Sequence, residues 1–260
     1  MCGRYGLFGG PAALAAAFEP AFGADAAASL RTAFEALDPP LAPRYNLAPT
    51  QRAPVVVRAR DADAASTAGS TAASTAASTA TPLVVRWARW GLIPHWVDDP
   101  ATFRATLVNA RAETAHAKPS FRDALRHDRC LVPVDGFYEW REAEGGKRPY
   151  WIRRRDRTPL LLAGLHAVHE GATPPDSFTI LTTRPGPLMV QLHDRQPVVL
   201  PPPWAAAWME PGRRRAEDVA AFLAPAANDA LEAIPVSRAV NRPTNDAPDL
   251  LTPEGDALRT

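Results

Sequence analysis

The sequence predicts a single α+β domain spanning residues 2–260, built on a curved, largely antiparallel, barrel-like sheet flanked by helices. Three observations carry this. The middle of the chain is a succession of short apolar, β-branched and aromatic runs separated by Gly, Pro and Asp turns, mostly in hairpin order. No strand–helix–strand rhythm of a parallel sheet is present. A chain of 260 residues with 46% apolar content can bury one substantial core.

Residues 11–37 are alanine-rich, with Leu14, Phe18, Phe22, Leu30, Phe34 and Leu37 at helical spacing, which predicts one or two amphipathic helices. Pro39, Pro40 and Pro43 then end the helix and force extended chain. RYNLAPTQ (44–51) reads as a polar loop and PVVVRAR (54–60) as a strand. Residues 61–82 are low-complexity Ser, Thr and Ala, unable to form a core. They predict a disordered insertion in a hairpin between Val57 and Leu83. Closure entropy grows slowly with loop length, so the flanking strands still pair. PLVVRWARWGLIPHW (82–96) begins as a strand and breaks at Gly91 and Pro94, and a short element at 104–108 leads into NARAET (109–114). FRDALRHDR (121–129) predicts a helix with Ser120 as its N-cap. CLVPVDGFYEW (130–140) reads as strand, turn at Asp135-Gly136, and strand, with EGGKR (144–148) as a hairpin turn. PYWIRR, PLLLAGLHAVH and FTILTTR supply further strands, and LMVQLHDRQPVVL passes from a short helix or loop into another. Residues 201–225 predict two helical pieces split at Pro211-Gly212, and residues 233–251 an irregular tail.

A net charge of +1 excludes a generally basic protein. Of 29 basic residues only Lys118 and Lys147 are lysines. Arginine suits bidentate phosphate contacts, although GC-rich coding gives the same bias. No apolar run approaches the ~18 residues of a membrane span, and no secretory signal pattern opens the chain, so a cytoplasmic location is expected. A structural disulfide between Cys2 and Cys130 is not expected in that setting, and Cys130, in RCLVPV, reads as a small core residue. His166 and His169 are followed by Glu170, but no zinc-binding spacing and no glycine-rich nucleotide pattern is present. Neither a metal nor a cofactor is expected, and His166 reads as structural.

Cys2 has the most distinctive chemistry. A small second residue permits removal of Met1, which would leave a thiol and a free α-amine on one residue. Their reference pKa values, about 8.5 and about 8, make both partly available as nucleophiles near neutral pH. With an aldehyde the amine forms an imine, and the thiolate can close a five-membered thiazolidine. From position alone, an ordinary residue in a frayed terminus is the plainer reading. Glu139 lies in FYEW and on a strand points opposite to Tyr138 and Trp140. Facing inward, its carboxyl would be desolvated and raised in pKa, as a general acid or base requires; facing solvent, the commoner place for a carboxylate, it would be inert. His193, in QLHDRQP, either exchanges protons near neutrality or is a surface loop histidine. Asn109 and Arg111 share a face of an extended segment, so one can orient an amine or sugar while the other holds a phosphate; an Asn that caps or turns the chain is commoner.

MCGRY, RYNLAPTQ, WGLIPHW, NARAET, RCLVPVDGFYEW, LHDRQPVVL and VSRAVN occur in this order over nearly the whole chain, 61–82 excepted. Together they resemble the SOS response-associated peptidase family, the abasic-site-processing SRAP domain. The resemblance implies a DNA-damage-response protein that binds single-stranded DNA, including junctions with duplex. It implies a covalent thiazolidine link between the N-terminal cysteine and abasic sites, which shields the lesion. Cys2 would be the nucleophile, Asn109 would position its α-amine and the sugar, and Glu139 would shuttle protons. His193 would assist sugar-ring opening and reversal of the link. Arg4, Arg111 and Arg195 would hold phosphates, while Asn46, Pro49 and Trp96 would line the strand's path, where aromatic faces stack on or wedge beside bases. The family name also implies self-removal of Met1, which a host aminopeptidase could equally perform. A monomer, nucleoid-associated when on DNA, is the simplest expectation. Two other readings stay open. One is an N-terminal-nucleophile cysteine peptidase or amidohydrolase, which needs an oxyanion hole. The other is a noncovalent single-strand-binding module in which Cys2 is incidental.

Overall fold

The apolar runs of the middle of the chain pair into two sheets. The computed structural model describes residues 2–59, 81–97, 99, 103, 105–169, 175–212 and 230–260. In chain order the strands are β1 (Tyr5–Leu7), β2 (Arg44–Leu47), β3 (Arg52–Arg58), β4 (Leu83–Trp90), β5 (Asn109–Arg111) and β6 (Arg129–Val134). They continue with β7 (Gly136–Arg141), β8 (Arg148–Arg154), β9 (Leu160–Ala167), β10 (Ser177–Thr183), β11 (Gln196–Pro197) and β12 (Leu231–Pro235). One sheet runs β12-β8-β7-β1-β2 and is antiparallel throughout. In the other, β4, β3, β6, β9 and β10 close into a ring, because β10 pairs with both β9 and β4; β5 and β11 attach to β10. Among the described residues only the pairings of β10 with β4 and β5 are parallel. The curved, largely antiparallel sheet is therefore present, divided in two.

Strand alternation sorts side chains between two cores. Tyr5, Phe137, Tyr150 and Ile152 join residues of the ring in the large core, whereas Tyr138 and Trp151 face a smaller one with Ile234, Val236, Val240 and Leu250. Glu139 is two residues from Phe137 and shares its inward face. Gly136 permits the tight start of β7: a Cβ there would lie 2.5 Å from the Ile152 carbonyl oxygen and 2.5 Å from the Trp151 ring. Asp135 accepts hydrogen bonds from the amides of Phe8 (2.6 Å) and Gly9 (2.8 Å), fastening this turn to the end of β1.

The segment 11–37 forms three helices, not one or two: α1 (Pro11–Ala16), α2 (Glu19–Phe22) and α3 (Ala24–Glu35). Pro20 sits in the first turn of α2, where its missing N–H is no loss, and Gly23 turns the chain at φ 85 before α3. Then follow α4 (Ala112–Ala115), α5 (Pro119–His127) and α6 (Pro202–Met209). Ser120 is not a cap: Pro119 takes the first helical position, so Lys118 stands at the N-cap without a side-chain bond. Part of RYNLAPTQ is strand β2 and not loop. The expected irregular tail begins inside β12, which pairs with β8 from Leu231 to Pro235. The element expected at 104–108 reduces, among the described residues, to a bridge between Leu92 and Leu107. The hairpin across the low-complexity insertion forms with Arg58 opposite Leu83. The insertion itself, apart from Thr81 and Pro82, and the helical piece expected after Gly212 lie outside the described residues. Cys2 and Cys130 are buried and free. His166 is buried, its Nε2 3.7 Å from Asp176 Oδ2. Among the described residues no helix is long and apolar enough to cross a membrane, and no group of His, Cys, Asp and Glu is arranged to hold a metal ion.

Candidate active site

Cys2 lies three residues before the start of β1, within the large core, and is fully buried. The Asn109 side chain, at the start of β5, donates from Nδ2 to the Cys2 carbonyl at 2.8 Å. β5 is itself held in register on β10, with Asn109 opposite Ile180. Asn109 Oδ1 is buried and accepts no hydrogen bond among the described residues.

Glu139 reaches the same place from β7. Tyr5 pairs with Phe137, and the Tyr138 amide donates to the Arg4 carbonyl at 2.9 Å, so Glu139 runs alongside the start of the chain. It is 1% exposed. Burial pushes its carboxyl above the usual range, and the nearby charge of His193 offsets part of that. Burial also pushes the Cys2 thiol well up, and the negative charge of Glu139 pushes it further. A thiol in this site stays protonated near neutrality until a base takes its proton.

His193 follows a 3₁₀ turn, Met189–Gln191, and its amide donates to the Met189 carbonyl at 2.9 Å. Its Nδ1 lies 3.0 Å from the Arg195 amide and 2.8 Å from Asp194 Oδ1. The amide suits a ring with a lone pair on Nδ1, and the carboxylate suits a ring with a proton there.

The expected binding residues divide. Arg4 donates from Nη1 to Asn46 Oδ1 (2.9 Å) and the Val240 carbonyl (3.0 Å). Asn46 has no exposed surface, and its Nδ2 faces the carbonyls of Val240 (3.0 Å), Arg242 (3.1 Å) and Asn245 (2.8 Å). Asn46 braces Arg4 and the segment 240–246. Pro49 is half-buried in the turn before Thr50. Trp96 is 51% exposed and meets Phe103 edge to face at 6.1 Å. Arg111 is exposed at the end of β5. Arg195 places Nη1 and Nη2 against the two carboxylate oxygens of Glu113, each at 2.8 Å, and Nη2 also meets the Thr182 carbonyl at 2.5 Å. Cys2, Asn109, Glu139 and His193 thus form one group, Arg4 with Asn46 a second, and Arg195 with Glu113 a third. Trp96 and Pro49 make no hydrogen bond to any of these among the described residues.

Two residues that matter here escaped the sequence reading. Glu113 sits inside NARAET and ties α4 to the His193 loop. Asn241, in VSRAVN, accepts from the Trp140 indole at 2.8 Å and so fixes the residue after Glu139. Both stand in quoted strings, but their partners are some 80 to 100 residues away in sequence.

The family model described as SOS response associated peptidase (SRAP) matches residues 1–243. The abasic site processing protein YoqW of Bacillus subtilis is 39% identical over 167 residues, covering 63% of this chain and 74% of YoqW. The abasic site processing protein YoaM of the same organism is 38% identical over 170 residues, covering 64% of this chain and 74% of YoaM. A crystal structure of a protein from Bacteroides thetaiotaomicron matches with a TM-score of 0.70 at 23% identity, over 97% of this chain and 99% of that one, and shows a shared fold. The family match runs through all four residues gathered at the buried N-terminus, and on that extent the chain belongs to the SOS response associated peptidase (SRAP) family.

Proposed function

We propose that this protein captures abasic sites in single-stranded DNA, including sites near a junction with duplex, by forming a thiazolidine between Cys2 and the opened sugar. The reading carries over to this chain the activity for which YoqW and YoaM are named. One observation carries it: the hydrogen bond from Asn109 to the main chain of the buried Cys2, beside the buried Glu139.

The chemistry begins with the Met1–Cys2 peptide bond, whose hydrolysis frees the Cys2 α-amine. An abasic deoxyribose is mostly a closed hemiacetal. His193 moves the proton from the anomeric hydroxyl to the ring oxygen, which leaves an aldehyde at C1′ and a free 4′-hydroxyl. The α-amine adds to C1′, and the carbinolamine loses water as Glu139 protonates the departing hydroxyl. The sulfur then adds to the imine carbon, while its proton passes through Glu139 to the nitrogen. In balance, aldehyde plus aminothiol gives thiazolidine plus water. The site electrostatics favour this order. The raised thiol keeps sulfur in reserve while the amine reacts, and a carboxyl raised by burial can hold and return a proton nearer neutral pH. His193, run in the opposite direction, assists reversal of the link.

Arg111 would hold a backbone phosphate, and the exposed Trp96 would stack on or wedge beside a base. Arg4 and Arg195 would add charge, each already committed to a protein partner. Self-removal of Met1 would use the same proton-transfer groups, and persistence of Met1 in Glu139→Gln but not in the wild type would support it. The expected setting is the cytoplasm, on nucleoid DNA, as a monomer. The test is incubation of the purified protein with single-stranded DNA carrying one abasic site, followed by a denaturing gel. A shifted band that disappears in Cys2→Ala supports capture. Binding without a covalent band supports a noncovalent module, and peptide turnover without capture supports a peptidase.

A further inference from the structure

We propose that Arg184, just past the end of β10, is a phosphate-binding residue that works with Arg111 at the edge of the active site. The identity of the ligand, a single DNA strand, rests on the function proposed above.

Arg195 is two residues from His193, and its amide lies 3.0 Å from the ring Nδ1. Glu113 occupies both of its terminal nitrogens, Thr182 takes a second bond from one of them, and its Nε is buried with no partner among the described residues. The side chain is 13% exposed. A phosphate could grip this fork only by displacing Glu113. Glu113 holds firmly: burial alone would raise its carboxyl, but the hydrogen bonds and charge of Arg195, with the charge of Arg184, outweigh burial and lower it. The carboxylate thus stays ionised and in place.

Arg111 and Arg184 differ from Arg195. Both are exposed, and neither guanidinium makes a hydrogen bond or ion pair among the described residues. They are neighbours through the sheet. β5 and β10 run parallel with Arg111 opposite Thr182, and Arg184 lies two residues beyond Thr182, close enough for its charge to act on Glu113. Arg195 and Arg184 both act on the Glu113 carboxylate, and Arg111 stands two residues before Glu113 in the chain; the positive charge beyond the Arg195–Glu113 pair sits on Arg111 and Arg184. Arg111 is two residues from Asn109, which holds Cys2. A strand whose abasic sugar meets Cys2 would bring its neighbouring phosphates to this edge. Guanidinium groups without a protein partner suit bidentate phosphate contact.

The experiment measures noncovalent binding of a labelled, undamaged single strand by fluorescence anisotropy at several NaCl concentrations. One phosphate contact on a single strand contributes about 0.7 to the slope of log affinity against log salt, which corresponds to about fivefold in affinity at 0.1 M relative to 1 M. Arg184→Gln should lower the slope by that amount and weaken binding several-fold at 0.1 M, whereas Arg184→Lys should keep most of both. Arg31→Gln on α3 removes the same charge elsewhere and should change neither. An unchanged slope in Arg184→Gln, an equal effect of Arg31→Gln, or a wild type that does not bind the strand overturns the proposal. Because no abasic site is used, the result is independent of crosslinking. Loss of slope in R184Q together with a wild type that never crosslinks would retain this assignment and reject the covalent function.

Discussion

Asn109→Ala removes the Nδ2 bond to the Cys2 carbonyl at 2.8 Å and leaves that carbonyl beside a hole. A buried acceptor that loses its donor costs about 1–3 kcal/mol, against about 0.5–1.5 kcal/mol for an average bond. Cys2 has no exposure, so water does not readily replace the donor and the larger range applies. If that energy is what holds the amine in its attacking geometry, the rate at saturating DNA falls about five- to 150-fold, since 1.36 kcal/mol is a factor of ten. Asn109→Asp should be worse, because a carboxylate would face the carbonyl oxygen and add negative charge near Glu139. The assay is single-turnover crosslinking to an abasic oligonucleotide, quenched over time and resolved on a denaturing gel, with anisotropy for binding. Noncovalent affinity should be unchanged. A wild-type rate in Asn109→Ala refutes the reasoning, as does a defect that disappears on raising the DNA concentration, since Asn109 would then only grip the strand.

Glu139→Gln should slow crosslinking by about 10²–10⁴-fold, the usual contribution of a proton-transfer group. It should also change stability with pH. The Glu139 carboxyl is raised by burial, so its stabilising protonated form is fully present below the unfolded value of about 4.3 and is lost as pH rises through the folded value. In urea titrations the stability of the wild type relative to Glu139→Gln should therefore fall with rising pH; a difference that grows would contradict this. Gly136→Ala drives a Cβ to 2.5 Å from the Ile152 oxygen and should destabilise by about 1–3 kcal/mol, read as a lower urea midpoint. Asn46→Ala strips the donor from three main-chain carbonyls and should cost about 2–3 kcal/mol, and an unaltered midpoint would show that segment 240–246 holds itself. Deleting residues 63–80 should leave both melting and crosslinking intact, because the β3–β4 register is set by residues outside the deletion.

The legible part of the fold is the part in which local pattern and burial agree. β3, β6 and β9 read as strands because Val and Leu dominate them. β2 does not, because its inward position is Asn46, a polar residue buried only by virtue of partners almost 200 residues away. β12 contains Glu232, whose place on a buried edge depends on Arg153 and Arg259. Ser120 fails as a cap because Pro119 claims the preceding position. In the site, residue type made Cys2, Glu139, Asn109 and His193 candidates beside plainer readings, and the family resemblance assigned their roles. The inward face of Glu139 followed once Phe137 was known to be core. The bidentate hold of Glu113 on Arg195 had no local signal, since nothing in either string marks the other as a partner.

The most direct measurement is the mass of the adduct between the full-length protein and an abasic single strand, followed by digestion and sequencing of the modified peptide. The expected product is a chain that begins at Cys2, with the sugar attached to that residue at the mass of aldehyde plus aminothiol less one water. An adduct that retains Met1, or one attached to any other residue, would contradict it.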